Sequence, residues 1–128
     1  VHPFTLRDEW YYHMRFVAEQ PGLTPLLVTL PDASTLTRRN GPHEGNPAVR
    51  AAVARGEAQT MAWAYERPNG GRGFGFTGAH YHANWGNADF RKLVLNAIVW
   101  LAHGEVPADG VASTVTPADL AAHLDPKD

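Results

Sequence analysis

Gly70-Gly71-Arg72-Gly73-Phe74-Gly75-Phe76-Thr77-Gly78-Ala79-His80-Tyr81-His82-Ala83-Asn84-Trp85-Gly86 is the stretch that decides how this chain is read. Five glycines crowd residues 70–78, alternating with aromatic and polar side chains. Glycine loses more backbone freedom on folding than any other residue, so a strand-like run this rich in it is costly. Such a run marks a place where another backbone, a bend or a ligand comes very close. The stretch therefore reads as a strand that ends in a site, with His80, His82 and Trp85 at its mouth.

Working outward, Pro68-Asn69-Gly70-Gly71 is a turn signal with Asn-Gly at its centre, so residues 60–66 and 72–77 should form a β-hairpin. Residues 23–30 are mostly apolar and bounded by Pro21-Gly22 and Pro31, which reads as a buried strand despite Pro25. Residues 31–58 form a long polar connection, and long ordered loops are often functional. A short helix fits 48–54 inside it. The clearest element is a helix from about 87 to 103. Asn87 suits the N-cap, Asp89 suits the first turn, and Gly104 stands where a C′ glycine belongs. Phe90, Leu93, Val94, Ala97, Ile98 and Leu101 recur on one face, and Leu95, Val99 and Trp100 add a second apolar stripe. Residues 105–128 read as a tail with a short helix at 117–124, capped by Thr116 with Pro117 at its first position. Residues 1–20 suit neither period and read as irregular, with one helical turn and a short strand at most. The chain should thus be α/β, with the long helix packing the strands.

At 128 residues the expectation is one domain with a core of its own. Apolar residues make up 44 % and charged residues 19 %, as in a soluble globular protein. A net charge of -2 gives no electrostatic footprint for nucleic acid. No apolar run approaches the roughly 18 residues of a membrane span. No signal segment is visible, and the compartment stays open. The chain opens at Val1 rather than methionine, so it reads as processed or as part of something longer. The absence of cysteine removes disulfides, thiolate metal sites and a cysteine nucleophile. Seven histidines become the main chemical inventory.

His80 and His82 would face the same side if the strand runs on through them. Converging imidazoles suit zinc or another divalent transition metal, which needs about four ligands. His2, Asp8 and Glu9 are candidates to complete such a set. The competing reading makes His80 and His82 hydrogen-bonded structural residues. Asp8 and Glu9 could serve as general acid or base beside His80 and His82, or as a solvated or capping pair. His43 could enter the site from its loop, and His13, His103 and His123 read as structural or exposed. Tyr11, Tyr81, Asn84 and Trp85 are candidates to hold a substrate. Aromatic faces such as Trp10, Tyr11, Tyr12 and Trp85 suit a sugar ring, although such residues more often fill a core. Gly73-Phe74-Gly75-Phe76-Thr77-Gly78 matches G-x-G-x-x-G in form only. Its glycines lie inside a strand, no helix follows directly, and no acid lies about 20 residues on, so no nucleotide cofactor is expected.

Several stretches carry a family resemblance. They are residues 8–16 (Asp8 to Phe16), 45–50, Ala62 to Pro68, Gly71 to Gly78, His80-Tyr81-His82, Asn84-Trp85-Gly86 and Phe90 to Trp100, together with His2-Pro3. In order along nearly the whole chain, they resemble the ThuA-like, or trehalose utilisation, family. The resemblance implies an open flavodoxin-like layered sheet of the class I glutamine amidotransferase superfamily. It also implies a role in sugar or keto-sugar metabolism. The family domain is about twice as long, and the likeness is to its C-terminal half. Ala79 and Ala83 stand where the family commonly has glycine and a larger residue. Two functions follow as expectations. One is a carbohydrate-active hydrolase, lyase or isomerase with a metal held by His2, His80 and His82. The other is a non-catalytic carbohydrate-binding or structural fragment. A half-sheet with exposed edges should also assemble into a homo-oligomer.

Overall fold

The computed structural model describes residues 2–41, 46–122 and 124, which form a small mixed α/β structure. Strand β1 spans Leu23–Thr29, helix α1 Pro47–Ala54, strand β2 Gln59–Glu66, strand β3 Arg72–Phe76, helix α2 Ala88–Leu101 and helix α3 Pro117–Ala121. Short 3₁₀ turns at Ala33–Leu36 and His82–Gly86 precede α1 and α2. The chain divides into two compact units, one of residues 11–77 and one of residues 1–10 with 78–128. No regular element forms within residues 2–20, in line with their lack of period. No helix among the described residues is long and apolar enough to cross a membrane. His43 and His123 lie outside the described residues.

The unit of residues 11–77 is built on a three-stranded sheet in the order β1-β2-β3, antiparallel throughout. The expected hairpin closes through residues 67–71. There the Arg67 N–H donates to the Gly71 carbonyl at 2.8 Å and the Gly70 N–H to the Arg67 carbonyl at 2.9 Å. Its register pairs large with small side chains. Trp63 lies opposite Gly75 and Tyr65 opposite Gly73, while Ala62 lies opposite Phe76 and Ala64 opposite Phe74. Since side chains alternate between faces, one face receives the Trp63 and Tyr65 rings over glycines. The other receives Phe74 and Phe76, stacked 6.0 Å apart, over alanines. A Cβ on Gly75 would fall 2.1 Å from the Trp63 ring, so this glycine is required by the indole lying against its backbone.

Pro25 lies on β1, an edge strand, which is where a sheet tolerates proline. The β1 register shifts on either side of Leu27, which marks a bulge beside the proline. Helix α1 starts one residue earlier than its pattern suggests, because Asn46 caps the Val49 N–H at 3.0 Å and Pro47 sits in the first turn. It buries Val49, Ala52 and Val53. From its outer side Arg50 donates to Asn40 Oδ1 and to the Leu36 carbonyl, each at 2.8 Å, and to the Arg38 carbonyl.

In the other unit, α2 begins as its sequence predicts, with the Asn87 side chain accepting the Phe90 N–H at 3.0 Å. Phe90 is completely buried, the largest such side chain among the described residues. The Phe4 ring meets it edge-on at 6.5 Å and the Trp85 ring at 5.2 Å. The helix end departs from the expectation. The left-handed residue is His103, with φ 58°, not Gly104. The His103 N–H reaches the Trp100 carbonyl and the Gly104 N–H the Val99 carbonyl, the pattern of a Schellman motif with glycine one place later. Gly104 is needed for space instead, since its Cβ would meet Val99 Cγ1 at 2.9 Å. Helix α3 carries a capping box between Thr116 and Asp119 but stops at Ala121, short of the expected 124. One capped turn is too short to propagate on its own.

Gly75→Val should force the Trp63 indole off the sheet and cost about 1–3 kcal/mol. A lowered urea midpoint with an unchanged slope would record this, and an unchanged midpoint would refute the packing argument.

Candidate functional site

The chain leaves β3 at Phe76, so the strand does not carry through His80 and His82. Ala79 takes a left-handed conformation, φ 76°, and His82 opens a 3₁₀ turn. The expectation that both imidazoles share one strand face is therefore not met. A left-handed non-glycine residue costs roughly 1–2 kcal/mol, and it persists only where its surroundings hold it.

Asp8 is what holds it. Asp8 Oδ2 accepts the Ala79 N–H at 2.8 Å, and Oδ1 accepts the N–H groups of His80 at 3.0 Å and Tyr81 at 3.2 Å. The Glu9 N–H adds the carboxylate's fourth bond, on Oδ1 at 2.9 Å. Three successive N–H groups converging on one carboxylate form an anion-binding nest, and here the anion is the protein's own side chain. Burial pushes the Asp8 carboxyl upward, but its bonds from Ala79, Tyr81, the Asn84 side chain and Glu9 outweigh that and hold it below the ordinary 3.8. Asn84 also donates to the Arg7 carbonyl at 3.0 Å, which fixes residues 7–8 against the turn.

Glu9, next in sequence, turns its carboxylate toward His80. Glu9 Oε2 lies 3.3 Å from His80 Nδ1, and the two side chains are 46 % and 54 % exposed, open to a ligand. The Tyr81 ring stands edge-on to the His80 ring, 5.1 Å away. A carboxylate at Nδ1 selects the tautomer with its proton there and leaves Nε2 to exchange a proton with a bound molecule.

The other candidates go elsewhere. His82 Nε2 lies 2.9 Å from the Leu120 carbonyl, which can only accept, so this nitrogen is a donor tying the 3₁₀ turn to α3. His2 is held at the start of α2, its N–H on Asp89 Oδ1 at 2.9 Å and its Nδ1 3.5 Å from the same oxygen. Trp85 packs on Phe90. Tyr11 is 55 % exposed and belongs to the unit of residues 11–77. Asp8, Glu9, His80, Tyr81 and Asn84 are thus brought together. His2 and His82 each have a partner of their own, and among the described residues no group of three or more His, Asp or Glu side chains is arranged to hold a metal ion. The donor set His2, His80 and His82 does not fit one zinc site in this arrangement.

Arg91 is the residue the sequence reading passed over. It is 7 % exposed. Its guanidinium donates to the Trp85 carbonyl at 2.7 Å, to Ser113 Oγ at 3.0 Å and to the Ser113 carbonyl at 3.1 Å. It locks the turn that carries Asn84 and Trp85 onto α2 and the tail. Its one sequence signal is a charge directly beside Phe90 on a helix with two apolar stripes.

Comparison with protein-family models, with curated proteins and with solved structures found no match to this chain.

A carboxylate with a depressed pKa adds stability that is fully present above its unfolded-state value. That stability is lost as pH falls through the lower folded-state value, so the Asp8 contribution should disappear below about pH 3.8. Asp8→Asn should lower stability at pH 7 by about 2 kcal/mol, the scale of bonds to a charged acceptor. The gap between variant and wild type should close in acid. Equal denaturant midpoints at pH 7 would show that the nest does not depend on the charge.

Proposed function

We propose that the chain is a ThuA-like protein acting on a sugar or keto-sugar derivative, with His80 and Glu9 as its proton-transfer pair. The observation that carries this reading is the 3.3 Å approach of Glu9 to His80 Nδ1 at an accessible surface, on backbone clamped by Asp8. The family reading rests on the motifs of the sequence. In it, the three antiparallel strands belong to the open, layered sheet of the class I glutamine amidotransferase superfamily. Keto-sugars exchange protons at the carbon beside the carbonyl, and both isomerisation and elimination begin there. His80 Nε2 takes that proton while Glu9 orients the ring and balances the charge it gains. Tyr81 flanks the pair and can cover one face of the ligand. Asp8, saturated by N–H groups, orients the loop and exchanges no proton. The zinc or other divalent transition metal of the family reading would have to be held by His80 and Glu9 with donors beyond the residues that converge here.

The test is hydrogen–deuterium exchange at the α-carbon of a panel of ketoses in D₂O, followed by proton NMR. The wild type should accelerate exchange for at least one member. His80→Ala should lower that rate by about 10²-fold or more, the usual worth of a positioned acid–base group. Glu9→Gln should lower it less. Absence of exchange, combined with ligand-dependent shifts of the His80 ring, would instead favour the carbohydrate-binding reading without turnover.

We further propose self-association. Leu26, Val28 and Leu30 are 44 %, 53 % and 68 % exposed, and Ile98 on α2 is 55 % exposed. Ile98 is a better interface candidate than the half-buried Val99 and Trp100 on the same helix. Pro25 discourages edge-to-edge strand pairing, so the contact should run through side chains. Sedimentation at micromolar concentration should give at least twice the 14.0 kDa chain mass, and a clean monomer would overturn the proposal.

A further inference from the structure

On the Trp63 face of the sheet lies an open groove of about 290 Å³, formed within residues 11–77. Trp63 and Tyr65 lie along its floor, two residues apart on β2 and therefore roughly 7 Å from each other along the strand. Leu23 of β1 borders them, and the opposite wall is the segment carrying Arg15, Phe16 and Gln20. Phe16 meets the Trp63 ring edge-on, with centroids 5.1 Å apart at 87°.

This wall is built at a cost. His13 and Glu19, on either side of it, are both left-handed, with φ 61° and 52°. Neither is glycine, and two such residues bracketing one short segment fix a bend that an unconstrained chain would avoid. Strain of this kind gathers at ligand clamps and switch segments. The floor is also specific, because Gly75 opposite Trp63 lets the indole come close against the backbone. The Arg67 guanidinium already covers the Tyr65 ring at 5.7 Å, so the aromatic surface left to a ligand is the part of the Trp63 indole, beside Phe16, that lines the groove.

We infer that this groove is a binding site for a pyranose-sized ring that carries a carboxylate. A saturated ring sets its C–H face on an indole. Arg15, exposed at the rim, offers a planar fork that matches a carboxylate. Gln20 supplies an amide for ring hydroxyls. The acidic side chain of the same bend, Glu19, is not part of the lining. The groove shares no residue with the His80–Glu9 pair, and the inference does not depend on the reading of that pair.

The experiment is a titration of the ¹⁵N-labelled chain with sodium D-glucuronate, following the Trp63 indole N–H, assigned by its loss in Trp63→Phe. Saturable shifts of that resonance are expected. D-glucose, which lacks the carboxylate, should bind at least about fivefold more weakly, the loss expected when one charged hydrogen-bond partner is missing. Arg15→Gln should bring glucuronate down to the glucose level with an unchanged thermal transition. No saturable shift at Trp63, equal binding of glucose and glucuronate, or full-strength binding by Arg15→Gln would each overturn the proposal.

Discussion

The sheet unit depends on the contact between the Trp63 indole and the bare backbone of Gly75. Everything near it is arranged by size. Large rings on β2 meet glycines on β3, and large rings on β3 meet alanines on β2. A register slip of one residue would set Trp63 against Phe74 or Phe76 and place the alanines over glycines, leaving clashes beside voids. Register is therefore fixed by shape as well as by the hairpin turn. The same contact holds the indole against the strand at the place where it lines the groove.

In the other unit the comparable constraint is the Asp8 carboxylate. Asp8 and Glu9 are adjacent and chemically alike, yet their surroundings give them opposite tasks. Asp8 receives four N–H groups and stays ionised, so it is a fastener. Glu9 keeps its carboxylate at the surface against a ring that can gain and lose a proton. The fastener is what makes the second arrangement possible. The His80 N–H bonded to Asp8 belongs to the residue whose ring faces Glu9, so the peptide and the ring of His80 are positioned by neighbouring carboxylates.

Local signals were enough for the local elements. The alternation of 60–66 and 72–77 around an Asn-Gly turn specified the hairpin, and Asn87, Asp89 and the apolar spacing specified α2. Where the reading went astray, the deciding contact was distant in sequence. His80 and His82 diverge because a carboxylate 71 to 73 residues earlier bends the backbone at Ala79 to Tyr81. No spacing rule within the stretch contains that partner. The end of α2 shows the same limit at short range. Glycine at position 104 was read as the left-handed residue, whereas the turn falls on His103 and the glycine answers a steric demand from Val99. Asp8 and Glu9 were singled out as a pair, but only geometry could divide their roles.

The two tryptophans that flank the glycine-rich stretch illustrate why aromatic residues resist assignment from sequence. Trp85, beside the histidines, was the natural candidate for a ligand platform, yet its ring meets Phe90 and its carbonyl is bound by the buried Arg91. Trp63, in the middle of an ordinary strand pattern, lines a groove. What separates them is the residue across from each. Phe90 is large and fully buried, so a ring against it becomes part of a core. Gly75 is the smallest residue available, so a ring can come close against it and still line the groove. The glycines of β3, conspicuous in the sequence as a sign of close approach, mark the opposing indole as the partner that approaches, and through it the place where a ring-shaped ligand could rest.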